Sequence, residues 1–314
     1  MPPRIGIDIG GTKCLGVLAD ESGSVRSEHR LATPRTGEAL IATILEVVAH
    51  LAGEVTGGHP AVGVGAPGLV DHSGVLRFAP NLPLVTELPV AARVRERLPV
   101  GTPVTVGNDA SFAAWAEHTC GAARGAAHVL LATIGTGIGG GIVTEGRLQL
   151  GRHGFAGEIG HVVVDPQGPR CPCGQQGCWE RYASGSGLGW MGREAAQAGR
   201  ADRVVALAGG DPEAVRGEHV TVAAAAGDAQ AEEVMARFAW WLALGLANLA
   251  NVLDPELIVL GGGMVEAGAV LLDPTRDAFT ALLEGAAHRP AIDLVAARLG
   301  ERAGAIGAAL LAGG

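Results

Sequence analysis

RIGIDIGGTKCLGVLAD, residues 4–20, places a glycine turn between two apolar runs. The alternation of apolar residues predicts a β-strand on each side, and Gly10-Gly11 predicts the tight turn that joins them. A strand followed by a second strand differs from the strand–helix–strand unit of dinucleotide-binding folds. The opening therefore predicts a β-hairpin with an exposed backbone turn.

The same pattern returns in HVLLATIGTGIGGGIVTEGRLQLG, residues 128–151, which predicts two or three strands joined by glycine turns. Helical periodicity predicts helices at about residues 37–52, 86–98 and 228–253, and a small-residue helix at the C-terminus. We therefore expect an α/β protein built from two similar domains. The smaller domain comprises residues 1–118 together with the C-terminal helix at about 300–314, and the larger α/β domain comprises residues 119–299.

The composition indicates a folded protein with neither a polyanion nor a membrane as its partner. Hydrophobic residues make up 48% of the 314 residues, and the net charge is −9. No run of five or six like charges is present, so the sequence lacks the basic stripe that is typical of nucleic-acid binding. The N-terminus lacks the apolar core of a signal peptide, and the most apolar helical stretch, residues 238–253, is short for a membrane span. We expect a cytoplasmic protein.

Two matches to G-x-G-x-x-G, at residues 63–68 and 135–140, do not indicate a dinucleotide-binding oxidoreductase. A predicted strand follows each match, whereas the fingerprint requires a helix there. A Walker A loop is also excluded, because Thr12 stands where that loop has its lysine.

The remaining chemistry of these glycine loops is phosphate binding. Residues 8–13 and 133–137 each place a backbone turn and a threonine hydroxyl after an apolar strand. Consecutive N–H groups in such turns bind phosphate oxygens, because glycine leaves no Cβ in the way. From spacing alone, plain hairpin turns are the favoured interpretation of both loops. The two turns together with the glycine run at residues 260–263 favour a bound nucleotide.

Three of the five cysteines lie within eight positions. Cys171, Cys173 and Cys178 are spaced C-x-C-x4-C, and His161 lies ten residues upstream. Three thiolates and one imidazole form a closed tetrahedral site of the structural zinc type, and the proline and glycines between the cysteines supply tight bends. Unrelated buried thiols are the alternative. The second ligand pair of a nucleic-acid zinc finger is missing, so a structural zinc site is favoured.

The ordered set DIGGTK, TIGTGIGGG, GEIGH, C-x-C-G-x-x-G-C-x-E and LGGG resembles the ROK family, and the resemblance covers nearly the whole chain. The stretch GCWERYASGSGL is similar to the glucokinase branch of that family. The resemblance implies an actin-like (ribonuclease H-like) ATPase fold of two domains with a cleft between them. It also implies ATP-dependent phosphorylation of a hexose, with glucose at its 6-hydroxyl favoured, and a homodimer or homotetramer.

Other functions share this core. The family includes kinases for other hexoses and for N-acetyl sugars, and a non-catalytic sugar-binding regulator is a further alternative. Its sugar-responsive repressors carry an added N-terminal DNA-binding module, for which the first glycine loop leaves no room in this sequence. The sequence leaves the phosphoryl donor open between ATP and polyphosphate.

The resemblance assigns Asp109 as the general base toward the sugar O6, and Asn108 as a contact to a ring hydroxyl. Both residues stand at a strand-to-helix junction, so helix capping is the alternative for each. Gly68 and Asn81 match other positions of the sugar pocket, although the family usually continues the motif of Asn81 with Gly-Trp, and this sequence does not. Glu158, His161 and Glu180 are implied to hold sugar hydroxyls near C1 and C2.

The nucleotide site follows from the same resemblance and from the loops. Asp8 is expected to hold Mg²⁺ through water, since this ion rarely sheds its whole hydration shell. Lys13 either neutralises phosphate or points outward as a surface lysine. The other expected contacts to ATP are Gly10, Gly11, Thr12, Thr133, Gly135, Thr136 and Gly137 at the phosphates, and Gly261, Gly262 and Gly263 near the adenosine.

A metal on one ring nitrogen of His161 would leave the other nitrogen protonated and able only to donate. We therefore expect zinc to brace one wall of the sugar site rather than to take part in the chemistry. Because water competes with the sugar for phosphate, we also expect the domains to close around both substrates, about the junction near residue 120.

Overall fold

The computed structural model describes residues 3–56, 58–80, 82 and 84–313. Asn81, one of the predicted sugar contacts, lies outside the described residues. The chain is a mixed α/β protein, as predicted. Its strands are β1 Arg4–Ile9, β2 Lys13–Ala19, β3 Val25–Ala32, β4 Val62–Ala66, β5 Leu69–Val70, β6 Leu76–Phe78, β7 Val104–Asn108, β8 Val129–Ile134, β9 Ile138–Thr144, β10 Arg147–Leu148, β11 Leu257–Gly261 and β12 Asp293–Ala296.

The helices alternate with these strands and dominate the second half of the chain. They are α1 Gly37–Ala52, α2 Val90–Arg95, α3 Asp109–Cys120, α4 Glu180–Ala183, α5 Gly185–Gln197, α6 Asp202–Leu207, α7 Gly217–Ala225, α8 Ala229–Leu253, α9 Ala269–Leu282 and α10 Ala303–Leu311. Among the residues that the structure describes, no helix combines the length and the apolarity needed to cross a membrane.

Two five-stranded sheets share one strand order. The first runs β3-β2-β1-β4-β7, and the second runs β10-β9-β8-β11-β12. In the first sheet β1, β2 and β3 pair antiparallel, while β4 pairs parallel with both β1 and β7. In the second sheet β9 and β10 are antiparallel, and β11 and β12 are parallel. The predicted repetition of a strand–glycine–strand opening is therefore confirmed.

The residues of α1 form one continuous apolar face. Leu40, Ile44, Val47 and Leu51 are fully buried against the apolar side chains of the first sheet. This spacing of three and four residues is the signature of an amphipathic helix, and the observed bounds of α1 match the predicted ones.

The next helix is shorter than predicted. Periodicity favoured a helix over about residues 86–98, but α2 covers only Val90–Arg95. Leu88 exchanges two backbone hydrogen bonds with Leu76, at 2.9 and 3.0 Å, and so extends the β5–β6 hairpin. Pro89 then stands at the N-cap of α2, because its ring carries no N–H to donate within a helix.

Helix α10 packs directly on the first sheet, as predicted for the C-terminal helix. A Cβ added at Gly6 would lie 1.9 Å from the carbonyl oxygen of Ala305, and one at Gly63 would lie 1.9 Å from that of Ala308. Glycine on the strands and alanine on the helix therefore let the two backbones approach closely. Any larger residue at these two strand positions would push the helix off the sheet.

The backbone packs into two compact units. Unit 1 comprises Met1–Leu131, Gly140–Glu158 and Ala297–Gly314, and unit 2 comprises Ala132–Gly139 and Ile159–Ala296. The domain bounds expected from the sequence, 1–118 with 300–314 and 119–299, differ from these limits and stay a prediction.

Candidate active site

Asn108 and Asp109 lie in unit 1, where the last residue of β7 meets the first residue of α3. The Asn108 Oδ1 accepts a hydrogen bond of 2.9 Å from the Ser111 N–H, so this side chain does cap the helix. Its Nδ2 donates to the carbonyl oxygen of Gly68 at 3.2 Å. The structure thus brings Asn108 and Gly68 together, and the predicted sugar contact of Asn108 stays a prediction beside its capping role.

Asp109 is a half-buried carboxylic acid at the start of α3. Burial raises the pKa of Asp109 to about 6, although its hydrogen bond from the Ala110 N–H, at 2.8 Å, opposes the rise. A general base works best when its pKa lies near the operating pH. The environment of Asp109 therefore suits the acceptance of a proton.

Asp8 lies in β1, two residues before the glycine turn. Burial, and after it the negative charge of Asp109, raise the pKa of Asp8 to about 8, while Lys13 opposes that rise. The Asp8 Oδ1 is buried and accepts no hydrogen bond from the described residues. Gly304 of α10 leaves room for this carboxylate, since a Cβ there would lie 2.7 Å from its carbon. A buried carboxylate oxygen without a donor fits a hard cation such as Mg²⁺.

The first glycine loop is a fixed turn between β1 and β2. The Gly10 N–H donates to the Lys13 carbonyl at 2.9 Å, and Thr33 of the following segment donates to Gly10 and Thr12. Gly11 and Thr12 are exposed at the tip. Lys13 forms an ion pair with Glu301, so its ammonium group already has a partner in unit 1.

The second glycine loop joins β8 and β9 in unit 2. The Gly135 N–H donates to the Gly137 carbonyl at 2.9 Å. The first turn of α5 supports the loop, because Gly185 N–H donates to the Gly135 carbonyl at 2.8 Å and Ser186 Oγ donates to the Thr136 carbonyl at 3.0 Å. Thr133 lies within β8, half-buried, just before this loop.

The third glycine run follows β11 and lies against the end of β8. Gly262 has a φ of +83°, and a Cβ there would lie 2.4 Å from the carbonyl oxygen of Ile134. Gly261 is the last residue of β11, and Gly263 opens a short 3-10 turn. The second loop and the third run therefore come together at one end of strands within unit 2.

Three glycines in these loops are not required by the fold. Gly11, Gly135 and Gly263 have an ordinary φ, and no atom lies within 4 Å of the place where a Cβ would stand. Each is the glycine of a different predicted nucleotide loop. Neither backbone strain nor crowding explains glycine at these three positions.

Glu180 is the first residue of α4 and reaches the second glycine loop. Its Oε2 accepts a hydrogen bond of 2.8 Å from the Ile138 N–H. A Cβ added at Gly137 would lie 2.2 Å from the same oxygen. The structure therefore places this predicted sugar contact beside the loop predicted to hold phosphate.

Glu158 follows a turn packed on β9 and α3 in unit 1. Gly157 precedes it, and a Cβ at Gly157 would lie 2.6 Å from the Gly140 carbonyl oxygen and 3.6 Å from the Ser111 Oγ. Glu158 thus follows directly on a turn that lies against the first turn of the helix that Asp109 begins.

The predicted metal ligands converge in unit 2. One ligand atom from each of His161, Cys171, Cys173 and Cys178 lies within 4.8 Å of all the others. The His161 Nδ1 lies 3.8 Å from the Cys171 Sγ, and the Cys173 Sγ lies 3.6 Å from the Cys178 Sγ. The donor set is that of closed structural zinc sites, so the residues fit this ion.

The backbone around the cluster is held by close packing and by hydrogen bonds to neighbouring segments. Gly177, at a φ of +72°, passes so close to Asp165 that a Cβ would lie 1.5 Å from the Asp165 carbonyl oxygen. The indole of Trp179 is fully buried and donates to the Trp241 carbonyl of α8 at 2.8 Å, while the Trp179 N–H donates to the Val162 carbonyl. The loop that carries the cysteines is thereby anchored on both sides.

The predicted site residues thus form two sets. Unit 1 brings Asp8 near Asp109 and bonds Asn108 to Gly68, whereas unit 2 brings Glu180 onto the second loop and gathers the four metal ligands. Sequence reasoning missed residues that support these sets, and Ser184, which caps α5, could have been found from its serine at a helix start. The other supporting residues missed are Thr33, Glu117, Ser186 and Glu301.

Comparison with known proteins decides the family. The sequence profile of the ROK family matches residues 4–314. The chain belongs to the ROK family. A ROK family glucokinase from Streptomyces griseus, solved in complex with glucose and AMPPNP, matches with a TM-score of 0.88 and 41% identity over 99% of each chain. This likeness confirms the fold class predicted from the sequence.

Curated relatives agree with the structural match. The glucokinase of Streptomyces coelicolor is 42% identical over 98% of this chain and 96% of its own length. The glucokinase of Thermotoga maritima is 36% identical over 97% of this chain and 95% of its own length.

Proposed function

We propose that this ROK protein transfers the γ-phosphoryl group of ATP to the 6-hydroxyl of glucose. The observation that carries the proposal is the trio Gly11, Gly135 and Gly263, one open glycine in each of three loops that end strands. Such loops bind phosphate and nucleotide through backbone N–H groups. The relatives named glucokinase support the choice of acceptor.

Asp109 is the general base of the proposed reaction. Its carboxylate accepts the proton of the attacking hydroxyl, a task that suits a pKa of about 6. Asn108 and Gly68 are already bonded to each other beside it, and they supply a rigid edge for the sugar. The proposed set of sugar contacts is completed by Glu158, Glu180, His161 and Asn81.

Asp8 is the proposed magnesium ligand, acting through water. The buried Oδ1 without a donor supports this role, and so does the position of Asp8 just before the first glycine loop. A Mg²⁺ ion bound there would neutralise charge that develops on the transferred phosphoryl group. In this proposal two glycine loops hold the phosphates, through Gly10, Gly11 and Thr12 and through Gly135, Thr136 and Gly137. Thr133 precedes the second of these loops, and the adenosine lies at Gly261 to Gly263.

His161 links the metal cluster to the sugar in this proposal. Its Nδ1 lies toward the Cys171 Sγ, at 3.8 Å, so Nδ1 would be the zinc ligand. The Nε2 would then carry the proton and donate to a sugar hydroxyl. His161 and the three cysteines would hold zinc here, and the ion would orient the ring without taking part in phosphoryl transfer. Glu180 also follows Cys178 by two residues, so the same loop orients both.

The test is the release of ADP by the purified protein with a panel of acceptors. Glucose, mannose, fructose, N-acetylglucosamine and N-acetylmannosamine are compared at equal concentration, and the product is identified by ³¹P NMR. The proposal expects the highest kcat/KM for glucose and a 6-phosphate product. A preference for an N-acetyl sugar would contradict the choice of acceptor, and binding without ADP release would indicate a non-catalytic regulator.

Polyphosphate in place of ATP tests the donor in the same assay. Activity with polyphosphate and none with ATP would contradict the assignment of the third glycine run to adenosine.

We also propose a cytoplasmic homodimer or homotetramer whose domains close on substrates. Light scattering measures its mass, and equal small-angle scattering profiles with and without glucose and nucleotide would contradict closure.

A further inference from the structure

Glu117 is a fully buried carboxylate in α3, with an exposed fraction of 0%. Its Oε1 accepts hydrogen bonds from the Arg298 N–H at 2.9 Å and the Leu299 N–H at 2.8 Å, and its Oε2 accepts one from the Ala122 N–H at 2.7 Å. Two of these donors lie more than 180 residues away along the chain. Burial removes water from the Glu117 carboxylate, and hydrogen bonds from backbone N–H groups to both of its oxygens replace that hydration.

The three donors belong to two segments, one directly after α3 and one shortly before α10. Glu117 lies on α3, eight residues after Asp109, which begins this helix. Arg298 and Leu299 lie just before α10, whose first turn contains Gly304. The Asp8 carboxylate packs against Gly304, since a Cβ there would lie 2.7 Å from the carboxylate carbon. Glu117 therefore connects α3, which begins at Asp109, to the segment that leads into α10, the helix that packs against Asp8.

Helices α3 and α10 pack in direct backbone contact. A Cβ at Gly307 of α10 would lie 1.8 Å from the carbonyl oxygen of Phe112 in α3. Ala116 of α3 packs with Ala305 and Ala309 of α10 in one buried cluster. Because these contacts are backbone-close, a slide of α10 along α3 would be passed on to Gly304 and so to Asp8.

We infer that Glu117 is a positioning residue for the proposed phosphoryl transfer: its carboxylate fixes α10 against α3 and thereby sets the spacing of Asp8 and Asp109. The inference rests on the proposed function for its kinetic consequence and on the geometry of unit 1 for its structural one. A misplacement of reacting groups by about 1 Å can lower a rate by about a hundredfold. Glu117 touches neither acid, so its effect passes through the two helices.

Two substitutions perturb the carboxylate in different ways. Glu117→Gln preserves size but sets an amide N–H₂ against either the Ala122 N–H or the pair from Arg298 and Leu299. Gly121→Ala retains the carboxylate and displaces it, because a Cβ at Gly121 would lie 2.1 Å from the Oε2. Thr275→Val is the control, since Thr275 is equally buried, lies on α9 in unit 2 and loses one bond, to the Leu271 carbonyl.

Kinetics are measured well below the melting temperature of each variant, with the folded fraction checked by circular dichroism. We expect kcat to fall about tenfold or more in Glu117→Gln and Gly121→Ala, with the glucose KM within about twofold of wild type. Thr275→Val should lower the melting temperature while its kcat stays within about twofold. A folded Glu117→Gln protein with wild-type kcat would overturn the inference.

Crystal structures of wild type and Glu117→Gln separate this inference from the proposed function. The expected result is a change of about 0.5 Å or more in the separation of the Asp8 and Asp109 carboxylates. An unchanged separation would overturn the inference even if the enzyme activity fell. A wild-type protein that lacks kinase activity would contradict the proposed function, while the crystallographic comparison would still decide whether Glu117 positions the two acids.

Discussion

Asp8 on β1 and Asp109, directly after β7, are half-buried acids at the two strands that flank β4, and the charge of Asp109 adds to burial in raising the pKa of Asp8 to about 8. Gly65 of the intervening β4 lets α3 approach, since a Cβ there would lie 3.2 Å from the Asp109 Cα. When two acids lie close together, the charge of one makes ionisation of the other less favourable unless a cation is nearby. A cation beside the pair would stabilise both carboxylates in their ionised form, and this is where the metal bound to the phosphates is proposed.

The stability of the metal-free protein should carry the signature of Asp8. Its pKa rises from an ordinary 3.8 to about 8 on folding, so the folded state holds this proton more tightly than the unfolded state. The resulting contribution to stability is present below pH 4 and is lost as the pH rises to about 8, at most about 1.4 kcal/mol for each pH unit.

Urea unfolding in EDTA at pH 5, 6, 7 and 8 measures this effect. Between pH 5 and 8 the free energy of unfolding of wild type should fall more steeply than that of Asp8→Asn, which retains the shape and removes the titration. Groups distant from Asp8 titrate alike in both proteins, so the difference of slopes reports Asp8 together with its effect on the neighbouring Asp109. Parallel curves would show that Asp8 has no raised pKa.

Gly11→Ala should separate ligand approach from folding. The Cβ would meet no atom within 4 Å and the φ is ordinary, so the melting temperature should change little. The ATP KM should rise about tenfold or more if backbone N–H groups of this turn bind phosphate. Gly53→Ala, at the C-cap of α1 with a φ of −62°, is the matched control and should leave the ATP KM unchanged. An unaltered ATP KM in Gly11→Ala would place the phosphates elsewhere.

Removal of one thiolate tests the bracing of His161. Cys173→Ser should lose bound zinc, measured by plasma mass spectrometry, and should weaken glucose binding about tenfold in titration calorimetry. Cys120→Ser is the control, because Cys120 lies outside the cluster on α3. Full glucose affinity in a zinc-free Cys173→Ser protein would show that the metal does not orient the sugar wall.

Residue spacing and turn-forming residues in the sequence correctly predicted several local features of the fold. The hairpin around Gly10-Gly11, the bounds of α1 and the convergence of His161 with the three cysteines all follow from spacing and turn chemistry. The length of α2 did not follow, because Leu88 pairs with Leu76 on a neighbouring strand and so leaves the helix. Such long-range pairing overrides helical periodicity.

Residues whose role depends on distant partners were missed for the same reason. Glu117 stands in a helix where an acid is ordinary, and its donors at Arg298 and Leu299 come from the other end of the chain. Lys13 was predicted to be either a phosphate ligand or a surface lysine, and only the fold reveals its ion pair with Glu301. β12, Asp293–Ala296, is four residues long and carries no turn signal strong enough to mark it.

Asp109→Asn is the sharpest test of Asp109 as the general base, because asparagine retains the size of Asp109 and cannot accept the proton. The variant and wild type are compared by coupled ADP release with glucose and Mg·ATP, and by calorimetric binding of glucose. Asp277→Asn, at an exposed position on α9, is the matched control and should behave as wild type.

We expect kcat to fall by about a hundredfold to ten-thousandfold in Asp109→Asn while glucose affinity changes by no more than a few fold. Glucose-dependent ADP release by Asp109→Asn at a rate close to that of wild type would contradict the assignment of Asp109 as the base, and with it the proposed mechanism.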